Sequence, residues 1–363
     1  MEARTMSRRR AALQRRSAIG VCVGVACFFV AQAAYHYPFA SWWPRLRDGE
    51  YSQKLVALRK EIAAKSADQP LIIAFGSSLT SLGLRPEALD SCRPSNPVGP
   101  LVYNFGMPGT TVIGQLMCLK RLLAEDIRPD WVMVEIYPRH FLLSPDAKEP
   151  FVTRRLNRED IPLVSEYFPG AHEVRKEWRE AQLLPWFSNR NTLQNLVVPT
   201  WMPRRLHEGW RYTDQWGWRD NPVLVATLKA KYAAPDFAEN TAKSLDAFNH
   251  ENISPQRDAA LRELLALCKR ERLGVVMVRV PESSYYRNAY AATTKKAIDR
   301  WLKDVVAQTG VAVIDASEWL PDSQFADGFH VDADGASQFT RRLETEWIQK
   351  QNTASPHVAS NAR

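Results

Sequence analysis

Five short apolar runs set the first limit on how this chain can fold: LIIAF at 71–75, LVYNF at 101–105, WVMVEIY at 131–137, GVVMVRV at 274–280 and VAVIDA at 311–316. None shows the strict alternation of a half-exposed strand, and a strand apolar on both faces needs cover on both. The cover lies in the intervening sequence, where TVIGQLMCLKRLLAED, SPQRDAALRELLALCKRER, TTKKAIDRWLKDVVAQTG and ASQFTRRLETEWIQKQ carry helical periodicity. Strands alternating with helices predict an α/β fold, a three-layer α/β/α sandwich around a mostly parallel five-stranded sheet.

The N-terminus obeys a different rule. Residues 1–17 hold Arg4, Arg8, Arg9, Arg10, Arg15 and Arg16 against Glu2 alone, so this head carries most of the formal charge of +8. The remainder, about +3 over the rest of the chain, is too weak to imply a nucleic-acid partner. Residues 18–35 are uncharged, and at about 1.5 Å per residue they nearly span a hydrocarbon core of about 30 Å. Arginines ahead of the segment predict a cytoplasmic head and a body outside the membrane. A cleaved signal peptide stays open as the alternative, because AQA at 31–33 resembles an A-x-A cleavage site. Either way the chain is exported.

Residues 36–69 read as an aromatic connector followed by an amphipathic helix over YSQKLVALRKEIAAKS, residues 70–350 as the folded domain, and residues 351–363 as a disordered tail. Within the domain, about 141–250 breaks the rhythm and reads as a helical and irregular insertion. It holds six of the chain's twelve tryptophans, from Trp178 to Trp218, which suit either stacking platforms for sugar rings or a small core of the insertion's own. Cys92 and Cys118 are spaced to close a loop worth roughly 3 kcal/mol if bridged in an oxidising compartment, while Cys268 reads as a buried thiol. His140, His172, His207 and His250 are scattered without metal spacing, and no metal or cofactor is expected.

In open parallel sheets ligands bind beyond the carboxyl ends of the strands, which singles out three stretches. Gly76-Ser77-Ser78 follows the first run, NFGMPGTT at 104–111 ends the second, and FADGFHVDADGASQF near the end of the chain holds Asp327 and His330. A serine hydroxyl needs a histidine to take its proton and an acid to fix the histidine tautomer. Asp327 and His330 can supply both, and the main-chain N–H groups of Ser78 and Gly109 are candidate oxyanion donors. Asp332 and Asp334 suit cap or turn positions before the last helix.

These blocks, in this order, resemble the SGNH or GDSL hydrolase superfamily. Gly76-Ser77-Ser78 matches its G-D-S block, which makes Ser78 the nucleophile and puts Ser77 where aspartate is usual. Asn104, Gly106 and Gly109 match its N-x-G-x-x-G block, which implies an oxyanion role for Gly109 and a substrate-side place for Asn104. Asp327 and His330 match its D-x-x-H block. The resemblance covers residues 71–137 and 256–350 and implies a flavodoxin-like sheet.

The third block, G-x-N-D after the third strand, has no counterpart in EIYPRHF. Arg139 is the nearest residue there able to donate to an anion, or else it pairs with Glu135 or another carboxylate, and Tyr137 reads as packing. With serine in place of aspartate, the departure is more similar to membrane-anchored, cell-envelope branches of the superfamily. That likeness implies an exported serine esterase or O-acyltransferase on acyl esters of envelope or extracellular polysaccharide, with a membrane-bound acyltransferase as a candidate partner. The competing expectation is a catalytically weak glycan-binding or scaffolding module.

Overall fold

The computed structural model describes residues 2–41, 48–90, 99–143, 153–168, 170–184, 188–202, 209–234, 237 and 245–351. They fall into two compact units, one comprising Met1–Gly49, Thr153–Arg155 and Arg175–Glu208, the other Glu50–Val152, Leu156–Val174 and Gly209–Arg363.

In the first unit, helix α1 (Glu2–Ser41) contains Gln14–Ala34, 21 residues long and apolar enough to cross a membrane, a test that a signal sequence would also pass. Helices α6 (Ala171–Leu183) and α7 (Arg190–Val197) also belong to it, α6 starting four residues before the segment that begins at Arg175. The described residues of 175–202, part of the expected insertion, fall in this unit.

The second unit is the α/β body. Helix α2 (Gly49–Ala64) precedes β1 (Leu71–Gly76), α3 (Ser78–Gly83), β2 (Leu101–Gly106), α4 (Val112–Ala124) and β3 (Trp131–Ile136). After the short helices α5 (Ile161–Tyr167) and α8 (Pro222–Tyr232) come α9 (Pro255–Arg270), β4 (Gly274–Arg279), α10 (Ser284–Ala289), α11 (Ala292–Thr309), β5 (Val313–Asp315) and α12 (Ala333–Glu346). All five strands are parallel, in the order β2-β1-β3-β4-β5. The flavodoxin-like order reverses direction at β1, and sheets of this kind bind ligands beyond the carboxyl ends of the strands flanking such a reversal, here β1 and β3.

Strand alternation sorts the core into two faces. Ile72, Ala74, Val102, Met133, Val276 and Val278 pack against Phe339 and Leu343 of α12. Ile73, Phe75, Val132 and Val134 point the other way and are buried, where α4 packs on β1 and β3 and α9 packs on α4 and β4. Each such aliphatic side chain contributes about 1.5–3 kcal/mol on full burial, which is why uninterrupted apolar runs end up inside a covered sheet. The helices start where the sequence supplies caps: Thr111 accepts from Ile113 N, Ser254 from Arg257 N and Asp332 from Gly335 N.

Cys118 is a buried thiol on α4, Cys268 is buried on α9, and Cys92 lies outside the described residues. The tail from 352 onward and His207 also lie outside them.

Candidate active site

The first strand passes into helix α3 within two residues. Gly76 ends β1, Ser77 is extended, and α3 begins at Ser78. Ser77 is the N-cap, its hydroxyl accepting from Leu79 N at 3.2 Å, so this serine satisfies a helix end. Ser78, one step further, is partly exposed at the carboxyl end of the sheet.

His330 meets it from the other end of the chain. His330 Nε2 lies 2.8 Å from Ser78 Oγ, and its Nδ1 lies 2.9 Å from Asp327 Oδ2. Asp327 Oδ1 also accepts the main-chain N–H groups of His330 at 2.8 Å and Phe329 at 3.1 Å, so one carboxylate fixes both the ring and the loop that carries it. Burial pushes the Asp327 carboxyl up, but these hydrogen bonds and the His330 charge outweigh it and hold it below the ordinary carboxylate value. The loop is buttressed from the end of β4, where Ser283 N donates to Gly328 O at 3.2 Å and Tyr286 stacks on Phe329 with centroids 3.5 Å apart.

Gly109 sits on the exposed turn after β2 with φ of +72°. That turn is tied to β1 by Met107 N donating to Gly76 O at 2.7 Å. Neither the Ser78 nor the Gly109 N–H has an acceptor among the described residues.

Asn104 does not face a ligand. It is fully buried, its amide donating to Thr80 O at 2.7 Å and Leu84 O at 2.6 Å while its Oδ1 accepts from Gly106 N at 2.9 Å. The substrate-side place expected for it is corrected to an internal clamp on α3, because every polar atom of its side chain is already engaged. Arg139 lies just beyond the end of β3, after Glu135. Its guanidinium lies over the rings of Phe248 (5.3 Å) and Phe329 (5.7 Å), beside the histidine loop. Tyr137 is buried edge-on to His140 and Phe329.

The carboxylate that sequence reasoning missed is Glu135. Its side chain is fully buried, and Oε2 accepts Ser77 N at 2.9 Å, Thr80 N at 3.0 Å and Thr80 Oγ1 at 2.6 Å. Burial raises its pKa, and the same hydrogen bonds oppose the rise. The available signal was a single charge inside WVMVEIY, since a carboxylate in a central strand is costly unless partnered.

An open cavity of about 310 Å³ is lined by residues that include Leu82, Trp218, Asn221, Lys229, Val331 and Asp332, and by none of Ser78, Asp327 and His330. Lys229 pairs with Asp332 at 2.7 Å, and Asp332 caps α12. Trp218 is buried, donating to Leu82 O at 2.7 Å under the Arg85 guanidinium, so this tryptophan braces α3.

No family model matches the chain, and no curated protein matches it. Among solved structures it is similar to a presumed acylhydrolase from Bacteroides fragilis, with a TM-score of 0.37 and 11% identity over 79% of this chain and 90% of that one. It is also similar to a variant acetylxylan esterase from Geobacillus stearothermophilus (TM-score 0.33, 15% identity, 78% of this chain and 95% of that one). An α/β hydrolase from the metagenome of Lake Arreo, Spain, has a TM-score of 0.32 and 10% identity over 76% of this chain and 94% of its own. Likenesses this loose carry no functional weight, which rests instead on the hydrogen-bond chain from Ser78 to Asp327.

Proposed function

We propose that this chain is an exported serine esterase or O-acyltransferase of the SGNH type, held to the membrane by α1 and acting on acyl esters of envelope or extracellular polysaccharide. The observation that carries the reading is the continuous set of contacts Ser78 Oγ to His330 Nε2 (2.8 Å) and His330 Nδ1 to Asp327 Oδ2 (2.9 Å), at the carboxyl end of a parallel sheet.

Ser78 Oγ attacks the acyl carbonyl as its proton passes to His330 Nε2, and Asp327 stabilises the imidazolium through Nδ1–H. The oxyanion takes hydrogen bonds from the N–H groups of Ser78 and Gly109. Collapse breaks the ester bond, the departing sugar oxygen takes the proton from His330, and the acyl group stays on Ser78. His330 then deprotonates an acceptor that attacks the acyl-enzyme, and Ser78 Oγ leaves with that proton returned from His330. Water as acceptor gives hydrolysis, and a sugar hydroxyl gives transfer. The cavity lined by Val331 and Asp332 supplies a mixed polar and apolar surface for the glycan, and Arg139 a cationic hydrogen-bond donor near the histidine loop. The arginine-rich head faces the cytoplasm and the catalytic unit faces out, where a membrane-bound acyltransferase is a fitting donor of acyl groups.

The test is acetate release from p-nitrophenyl acetate and from an acetylated polysaccharide by the full chain in detergent, with and without an unacetylated oligosaccharide. Turnover lost in Ser78→Ala supports the reading, and acetyl found on the oligosaccharide marks transfer. A folded chain with no turnover on either substrate contradicts it.

A further inference from the structure

We propose that Glu135 is the positioning residue of the nucleophile, its buried carboxylate holding the main chain on both sides of Ser78 so that the hydroxyl meets His330 and the Ser78 N–H stays open to an oxyanion. The inference rests on Ser78 being the nucleophile.

Three separate features converge on this oxygen. Glu135 Oε2 collects the N–H of Ser77, the N–H of Thr80 and the hydroxyl of Thr80, residues that bracket Ser78 in the turn and the first turn of α3. Gly76 leaves the space that the carboxylate fills: a Cβ there would lie 2.0 Å from Thr80 Oγ1 and 2.5 Å from Glu135 Oε2. Glu135 is itself held in β3, its N–H donating to Gln115 Oε1 and its carbonyl accepting from Gln115 Nε2, both at 3.1 Å. Register brings it there, because Phe75 pairs with Val134 and so sets Gly76 beside Glu135 across the β1–β3 ladder.

The carboxylate is an expensive choice for a structural role alone. Its side chain has no exposure, and Oε1 has no hydrogen-bond donor among the described residues, the nearest imidazole nitrogen, His140 Nδ1, lying 4.0 Å away. What the group provides in return is one acceptor that three donors share, which fixes the turn without drawing in the Ser78 N–H. A nucleophile displaced by about 1 Å loses about 100-fold in rate, so the turn needs a fixed point.

Fluorophosphonate labelling rates and kcat and KM for p-nitrophenyl acetate, measured on the full chain in detergent, test the role in wild type, Glu135→Gln, Glu135→Ala and Thr80→Val. Glu135→Ala is expected to lose about 100-fold in labelling rate and kcat with KM within about 3-fold. Glu135→Gln, whose amide oxygen can take the same bonds, is expected to recover to within about 10-fold of wild type, and Thr80→Val, which removes one donor, to fall between. Should Glu135→Ala fail to fold, the other two variants decide. Wild-type rates in folded Glu135→Ala, or a Glu135→Gln as impaired as Glu135→Ala, overturn the role of Glu135 alone. A wild-type chain that takes no label overturns the nucleophile and this inference with it.

Discussion

Asp327 grips His330 twice, through Oδ2 to the ring Nδ1 at 2.9 Å and through Oδ1 to the main-chain N–H at 2.8 Å. The first contact sets the tautomer that leaves Nε2 free to accept from Ser78, and the second holds the loop. Asp327→Asn keeps an oxygen for the main chain but offers the ring an amide, which stabilises the wrong tautomer. Its kcat should fall about 10⁴-fold with KM and melting temperature nearly unchanged, as steady-state kinetics on an activated ester would read.

Ser77→Ala removes a cap, not a nucleophile. The Leu79 N–H loses its acceptor at 3.2 Å, while the Ser77 N–H that Glu135 holds is retained. The loss is about 1 kcal/mol, a drop of about 2–4 °C in melting temperature, and fluorophosphonate labelling should persist.

Asn104→Ala separates the internal clamp from a substrate contact. The change removes the side-chain donor to the buried carbonyl of Leu84, the acceptor of the Gly106 N–H and one of the two donors to Thr80 O, which keeps the Leu84 N–H at 3.0 Å, so stability should fall by about 2–5 kcal/mol. Any variant that remains folded should show an unchanged KM. A raised KM with unchanged stability would return Asn104 to the substrate side.

Lys54 gives the body a specific pH response. Its Nζ is buried and donates to Asn104 O at 2.9 Å and to Gly217 O. Burial, aided by the Arg219 charge against the pull of Glu50 and Asp214, brings its pKa from 10.5 down to about 7. Between about pH 7 and 10.5 the unfolded chain keeps a proton that the folded chain has released, so stability from this group rises with pH across that window and is lowest below it. Melting temperatures of wild type and Lys54→Met from pH 6 to 10 should show the wild type gaining on the variant as pH rises. A constant gap would refute the shift.

The sheet was legible because its strands are buried on both faces, so four of the five runs read as strands within about a residue or two. The fifth, VAVIDA, shortens to Val313–Asp315 at the sheet edge, where fewer partners enforce pairing. Ser78, Asp327 and His330 were singled out by position, Ser78 just after a strand end and Asp327 and His330 shortly before the last helix, and the fold closes a separation of 252 residues between serine and histidine. Glu135 was not legible because two of its three donors are main-chain N–H groups, which leave no mark on composition. Asn104 misled for the converse reason: a polar residue at a strand's end suits a ligand, and only the closeness of α3 turns it inward. Arg139 lies over Phe248, a partner from the far end of the insertion that no local pattern announces.

The most direct measurement of the central claim is tandem mass spectrometry of the full chain after reaction with a fluorophosphonate. The predicted result is a single phosphonyl adduct on Ser78 that disappears in Ser78→Ala and His330→Ala but persists in Ser77→Ala. An adduct on Ser77, or a folded wild-type chain that takes no adduct, would contradict the account.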